Sequence, residues 1–71
     1  DAGRSLEKDE PMLRRAIDSL PEKERMAVIL HDVEGMTSEE VAAAIGNTAA
    51  TVRVQLSRAR QKLRDLLGGR L

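Results

Sequence analysis

The sequence contains no cysteine, phenylalanine, tyrosine or tryptophan. Without cysteine, the chain has no disulfide framework, no cysteine-ligated zinc or iron–sulfur site and no redox thiol. Without aromatic rings, it is not one of the RNA-binding modules that stack bases on aromatic side chains. Long apolar runs are missing too. The longest, such as Met26–Leu30, has five residues, whereas a transmembrane helix needs about 20.

The charges are balanced in number but not in position. The chain has 71 residues, with 12 lysines and arginines and 12 aspartates and glutamates. Residues 1–46 hold 11 acidic and 6 basic residues, whereas residues 47–71 hold 6 basic residues and a single acid, Asp65. Because the local potential governs docking, this asymmetry predicts an anion-binding surface near the C-terminus. The alternative is a basic tail without a binding role.

Apolar spacing predicts helices and no strands. Two segments place apolar residues at i, i+3, i+4 and i+7, beginning at Leu13 and at Met26. A longer stripe runs from Val52 to Leu66, and no segment alternates with a period of two. We therefore expect an all-α, compact four-helix domain, with helices at about 11–19, 21–34, 38–45 and 49–67.

The domain is expected to occupy residues 10–71. Residues 1–9 offer only Leu6 for burial, so we interpret them as a flexible linker remnant. Because the sequence starts at Asp1 rather than at methionine, we expect it to be a fragment of a longer protein.

Local sequence chemistry marks the helix ends. Ser19–Glu22 and Thr37–Glu40 both have capping-box spacing, in which each side chain bonds the other residue's backbone N–H. Gly46 supplies the left-handed conformation of a sharp turn, and Thr48 is placed to cap the fourth helix.

The third helix, the turn at Gly46 and the longer basic fourth helix have the layout of a helix-turn-helix. Apolar residues on both helices, from Val41 to Leu56, would fix their crossing angle. A helical hairpin without any role at DNA remains the alternative.

The fourth helix has a small, uncharged strip opposite its apolar stripe. A helical wheel places cations along both edges of this strip. Such a strip can approach base edges while the cations reach phosphates on either side. The alternative is an ordinary solvated face, although such faces usually mix both charge signs. The strip contains Ala50, Val54, Ser57 and Gln61, and its edges contain Arg53, Arg60 and Arg64 on one side and Arg58 and Lys62 on the other.

Several short motifs together resemble region four of bacterial RNA polymerase sigma factors, most closely the extracytoplasmic-function type. The resemblance runs from about Ala16 to Leu66. The motifs are Leu20-Pro21-Glu22, Glu34-Gly35-Met36-Thr37, Glu39-Glu40-Val41-Ala42, Ile45-Gly46, Thr51-Val52-Arg53, Leu56 and Arg58-Ala59-Arg60.

The resemblance implies a promoter-recognition domain that acts in the cytoplasm. Its helix-turn-helix would bind the upstream, minus-35 element of double-stranded promoter DNA. Its apolar groove, with Met36 a candidate lining residue, would bind the flap of the β subunit of the RNA polymerase core. An anti-sigma protein is a further implied partner, whereas a membrane and a small-molecule substrate are not.

The resemblance also implies the residues that contact DNA. Arg53 would bind a guanine or a phosphate, and Arg58 a phosphate. Val54 and Gln55 depart from the family, which has a small polar residue and an arginine there. Valine can contact a thymine methyl and glutamine can pair with adenine, so a different promoter preference is expected. The full set is Thr48, Thr51, Arg53, Val54, Gln55, Ser57 and Arg58.

We expect no catalysis, cofactor or metal, because His31 is the single histidine and no nucleophile and base are grouped in the sequence. Two other functions remain open. One is the DNA-binding domain of a LuxR-type response regulator, which is also a four-helix unit. The other is a sigma-like module that binds an anti-sigma protein without binding DNA.

Overall fold

The computed structural model describes residues 11–68, which form four helices. Helix α1 covers residues 11–18. Helix α2 runs from Glu22–Val28 and continues as a π-helical segment, Ile29–Val33. Helices α3 (Ser38–Ile45) and α4 (Ala49–Leu66) follow. No strand occurs in these residues. The all-α, four-helix prediction is confirmed, whereas the predicted linker, residues 1–9, lies outside the described residues.

The core is built around one face of α4. Its stripe of Val52, Leu56, Ala59 and Leu63 is buried, as the sequence spacing predicts. Helices α2 and α3 each contribute two small or branched side chains, and Ala16 of α1 and the following Leu20 add two more, so the interior is filled without any aromatic ring. Val41 of α3 and Val52 of α4 are fully buried. The crossing of the two helices is thus fixed by side-chain packing, which keeps the opposite face of α4 free for solvent.

The turn between α3 and α4 is held by backbone geometry and by caps. In the Thr37–Glu40 capping box, the Glu40 N–H donates to Thr37 Oγ1 over 3.1 Å and the Thr37 N–H donates to Glu40 Oε1 over 2.9 Å. Gly46 ends α3 with a φ of 71°, a conformation that a side chain would strain. Thr48 Oγ1 accepts from the Thr51 N–H over 3.2 Å. All three predicted devices are confirmed.

The predicted Ser19–Glu22 capping box is wrong. The Ser19 hydroxyl instead donates to the Ala16 carbonyl over 2.7 Å. Helix α2 follows Pro21 without any side-chain cap. Serine hydroxyls readily bond the free carbonyls of the preceding turn, so Ser19 completes the end of α1 rather than the start of α2.

The sequence predicts an α-helix over residues 21–34, but the last part of α2 is not α-helical. The Glu34 N–H bonds the Ile29 carbonyl over 3.0 Å, which is an i→i+5 bond. The Nδ1 atom of His31 donates to the Met36 carbonyl over 2.8 Å and ties down the following loop. Asp32, in this wider final turn, pairs with Arg60 of α4.

Candidate functional site

The exposed side of α4 carries a strip of uncharged side chains opposite the core. Ala50, Val54, Ser57 and Gln61 are all exposed, as the wheel predicts. Val54 is a large apolar residue and still 48% exposed. We refer to these four residues as the outer strip. Because they are small or uncharged, a planar ligand can approach the α4 backbone closely here.

Arg53 borders the outer strip and forms an ion pair across the helix-turn-helix. Its Nη2 atom lies 2.9 Å from Oε2 of Glu39, in the first turn of α3. The two side chains are 60% and 68% exposed. A pair this accessible to water stabilises a fold by only about 0–1 kcal/mol. The pair orients Arg53 only weakly, and its guanidinium remains available to a ligand.

Arg58 borders the outer strip and is exposed. Within residues 11–68 it makes no hydrogen bond or ion pair with another side chain, unlike the other cations of α4. Arg64, for example, donates to Gln61 Oε1 over 3.3 Å. Arg58 can therefore bind an anion without giving up an internal contact.

The remaining cations of α4 are held by acids of α2. Lys62 Nζ lies 2.9 and 3.0 Å from the two carboxylate oxygens of Glu24, whose side chain is only 11% exposed. Arg60 Nη2 lies 3.0 Å from Asp32 Oδ1. Three of the five border cations, Arg53 included, are therefore paired with acids of this domain, and Arg58 and Arg64 are not. The wheel cannot detect these pairs, because the acids come from other helices.

The other predicted contact residues differ in their exposure and in the hydrogen bonds that they already make. Thr48, Thr51 and Ser57 are exposed, but the Thr48 hydroxyl is already bonded to Thr51 through both its lone pair and its proton. Gln55 is half-buried, and its Oε1 atom is buried without a hydrogen-bond partner. Six of the seven predicted residues are thus exposed to solvent, and Gln55 is the exception.

A second surface lies where α1, the π-helical turn and α4 meet. It is an apolar cleft of about 450 Å³. Val33, on its rim, is 67% exposed. Met36 packs against the core and does not line this cleft. The lining residues are Leu13, Ile17, Val28, Asp32, Val33, Arg60, Leu63 and Arg64.

Two absences concern residues 11–68. None of their helices combines the length and hydropathy needed to cross a bilayer. Nor do three or more histidine, aspartate or glutamate side chains meet there in an arrangement suited to a metal ion.

Comparisons with known proteins agree with this architecture. A family model described as Sigma-70, region 4 matches residues 11–63. The ECF RNA polymerase sigma factor SigE of Mycolicibacterium smegmatis is 49% identical over 55 residues, which are 78% of this chain and 21% of SigE. SigD of Mycobacterium tuberculosis is 43% identical over 53 residues, 75% of this chain and 25% of SigD.

The sigma-E factor of Escherichia coli is 43% identical over 49 residues, 69% of this chain and 26% of that protein. The chain thus spans about a quarter or less of the length of these relatives. No solved structure gives a significant match. The helix-turn-helix, the family match and these relatives together establish that the chain belongs to the Sigma-70, region 4 family, as found in extracytoplasmic-function sigma factors.

Proposed function

We propose that this chain is the promoter-recognition domain of a sigma factor and that α4 binds the minus-35 element of double-stranded DNA. The observation that carries the proposal is the outer strip with Arg53 and Arg58 beside it. A row of small side chains lets the helix enter the major groove, while the two guanidinium groups reach base edges or phosphates.

The residues divide into base readers and phosphate binders. Arg53 is the candidate for a bidentate contact with guanine, and Val54 is placed to contact a thymine methyl. Arg58, whose charge is uncompensated, is the phosphate binder. Bidentate pairing of Gln55 with adenine requires its side chain to rotate outward, since its Oε1 atom is buried.

The apolar cleft is the proposed site for the flap of the polymerase β subunit. Five of its eight lining residues are aliphatic, and the exposed Val33 would lose its contact with water when an apolar segment docks. In this proposal the domain works in the cytoplasm with the polymerase core, does no chemistry and needs no cofactor. An anti-sigma protein would compete for the same surfaces.

A duplex titration tests the DNA proposal. Fluorescence anisotropy would measure binding to a duplex selected from a randomised pool, at several salt concentrations. Arg53→Ala should weaken binding to the selected duplex by about 1–3 kcal/mol, the range for a bidentate base contact. Arg58→Ala should weaken binding to every duplex and reduce the salt slope by about 1.

Arg15→Ala is the matched control, because it removes an exposed arginine from α1 rather than from the DNA-binding face. It should leave the salt slope unchanged. If Arg53→Ala and Arg58→Ala behave like Arg15→Ala, α4 is not the DNA-binding helix.

A second function is supported by the ion pairs. Three of the five cations of α4 are partnered by acids of the same domain, which reduces the charge available to phosphates. A sigma-like module that binds an anti-sigma protein and leaves DNA alone would show this pattern. Negligible duplex binding at low salt, with and without polymerase, would favour it. The LuxR-type alternative is set aside, since the family is Sigma-70, region 4.

A further inference from the structure

Glu39 is the acid that lies against the DNA-binding face. It is the second residue of α3, and its neighbour Glu40, not Glu39, closes the capping box with Thr37. Its side chain therefore has no part in the capping box that begins α3. Its bond is to Arg53, 14 positions along the chain, on the helix that would enter the groove.

The bond uses one part of the Arg53 guanidinium. Glu39 accepts from Nη2, whereas the N–H groups of Nη1 and Nε make no bond in the described structure. A guanidinium has five N–H donors in a rigid plane, so a contact at one edge restricts the directions that the others can take. An arginine held in this way loses less conformational entropy when it binds a base.

The carboxylate also affects which ligand Arg53 accepts. The O6 and N7 atoms of guanine are neutral acceptors, so guanine can share the guanidinium with Glu39. A phosphate is anionic, and it would be repelled by the carboxylate already bound there. The repulsion weakens binding to the backbone of any duplex alike, so the sequence preference comes from the direction in which the bond holds the guanidinium.

The other two ion pairs of α4 do not lie beside the outer strip. Glu24 is nearly buried beneath Lys62, and Asp32 and Arg60 line the apolar cleft. Glu39 is 68% exposed and its partner borders the outer strip. Among these three pairs, the Glu39–Arg53 pair alone meets an incoming duplex.

We propose that Glu39 is a positioning residue that fixes Arg53 for base readout and raises the ratio of specific to non-specific DNA binding. The proposal rests on the proposed function, since it requires that α4 bind duplex DNA. Glu39 itself need not contact a base.

Three variants separate the reach of the side chain from its charge. Glu39→Gln keeps an oxygen at the same distance and removes the charge. Glu39→Asp keeps the charge but is one methylene shorter, and Glu39→Ala removes both. Glu34→Ala is the control, an exposed acid that makes no side-chain bond within residues 11–68. Circular dichroism confirms that each variant is folded.

Anisotropy would be measured for the 71-residue chain on the pool-selected duplex and on a scrambled duplex of equal composition. The affinity ratio should stay within two-fold for Glu39→Gln and fall about three- to five-fold for Glu39→Asp and Glu39→Ala, because an exposed ion pair contributes little more than that. Glu39→Gln should bind both duplexes more tightly by a similar factor, because the lost carboxylate repels the phosphates of either duplex. In an Arg53→Ala background, Glu39→Ala should change the ratio no further.

A DNA-free measurement tests the geometry directly. The Nε–H resonance of Arg53 should show restricted motion by NMR in the wild type and in Glu39→Gln, and free motion in Glu39→Ala. Equal mobility in all three, or an unchanged affinity ratio in Glu39→Ala, overturns the proposal. So does a ratio for Glu39→Gln as low as that for Glu39→Ala, which would indicate simple charge repulsion. A wild type that binds no duplex removes the proposed function and this proposal together.

Discussion

The Glu24–Lys62 ion pair makes an asymmetric prediction about stability. Lys62→Met keeps the length and the apolar stem of the side chain but leaves the Glu24 carboxylate nearly buried and unpaired. Glu24→Gln leaves Lys62 without a counter-charge, but the lysine is 46% exposed and water can solvate it. The first substitution should therefore cost much more than the second.

The size of the effect follows from the burial of the two groups. Breaking a fully buried pair costs about 3–5 kcal/mol, whereas an exposed pair is worth about 0–1 kcal/mol. With one buried and one half-exposed partner, Lys62→Met should lower the free energy of unfolding by about 2 kcal/mol. Glu24→Gln should lower it by less than about 1 kcal/mol.

Urea unfolding followed by circular dichroism at pH 7 measures these changes. A slope of about 1 kcal/mol per molar urea is reasonable for so short a chain, so Lys62→Met should move the midpoint down by about 2 M. The double variant, with both substitutions, should recover most of the loss, because no buried charge remains. Lys23→Met, which changes an exposed lysine of α2, is the control and should change stability by less than about 0.5 kcal/mol.

The reasoning fails if Lys62→Met and Lys23→Met cost the same, since Glu24 would then be solvated without its partner. The salt slope of DNA binding gives a second test of the Glu24–Lys62 pair. Because Lys62 is committed to Glu24, Lys62→Met should leave the salt slope of DNA binding unchanged, unlike Arg58→Ala.

Three further predictions concern single positions. Val33→Asp should weaken binding of the isolated β flap domain at least ten-fold and leave duplex binding unchanged, whereas Val54→Asp should weaken duplex binding and leave flap binding unchanged. Pull-down assays would measure flap binding and anisotropy would measure duplex binding. A loss of both activities in one variant would contradict the prediction. Val52→Ala should lower the free energy of unfolding by about 1–3 kcal/mol, because two methyl groups leave a fully buried site, while the exposed Val54→Ala should change it by less than about 0.5 kcal/mol in the same urea assay. Gly46→Ala should cost about 1–2 kcal/mol through its φ of 71° alone, since an added Cβ meets no atom within 4 Å; thermal unfolding would measure it, and a cost near zero would show that the turn relaxes.

The sequence predicts the helices and their inner faces well because both depend on local periodicity. The stripe on α4 appears at the predicted positions, and the Thr37–Glu40 capping box and the left-handed Gly46 follow from residue types a few positions apart. A single helix is enough to derive each of these features. For the same reason, six of the seven predicted contact residues are found on the surface.

Features that depend on two helices are not predictable in this way. The partners of Lys62 and Arg53 lie 38 and 14 positions away, and no spacing rule relates them. Ser19 shows a local limit: its hydroxyl can bond the helix before it or the helix after it, and the sequence pattern alone does not decide between them. The π-helical turn of α2 leaves the apolar spacing intact, so only the backbone bonds reveal it.

Helix α4 supplies residues to both candidate binding surfaces. The outer strip begins near its first turn, and Arg60, Leu63 and Arg64 line the apolar cleft toward its last turns. Its 18 residues extend about 27 Å at 1.5 Å per residue. A helix of this length is stiff, so a duplex on one surface and a protein on the other would be held at a set spacing and a set angle. The number of helical turns between Val54 and Leu63 would thus set the distance and the angle between the two partners.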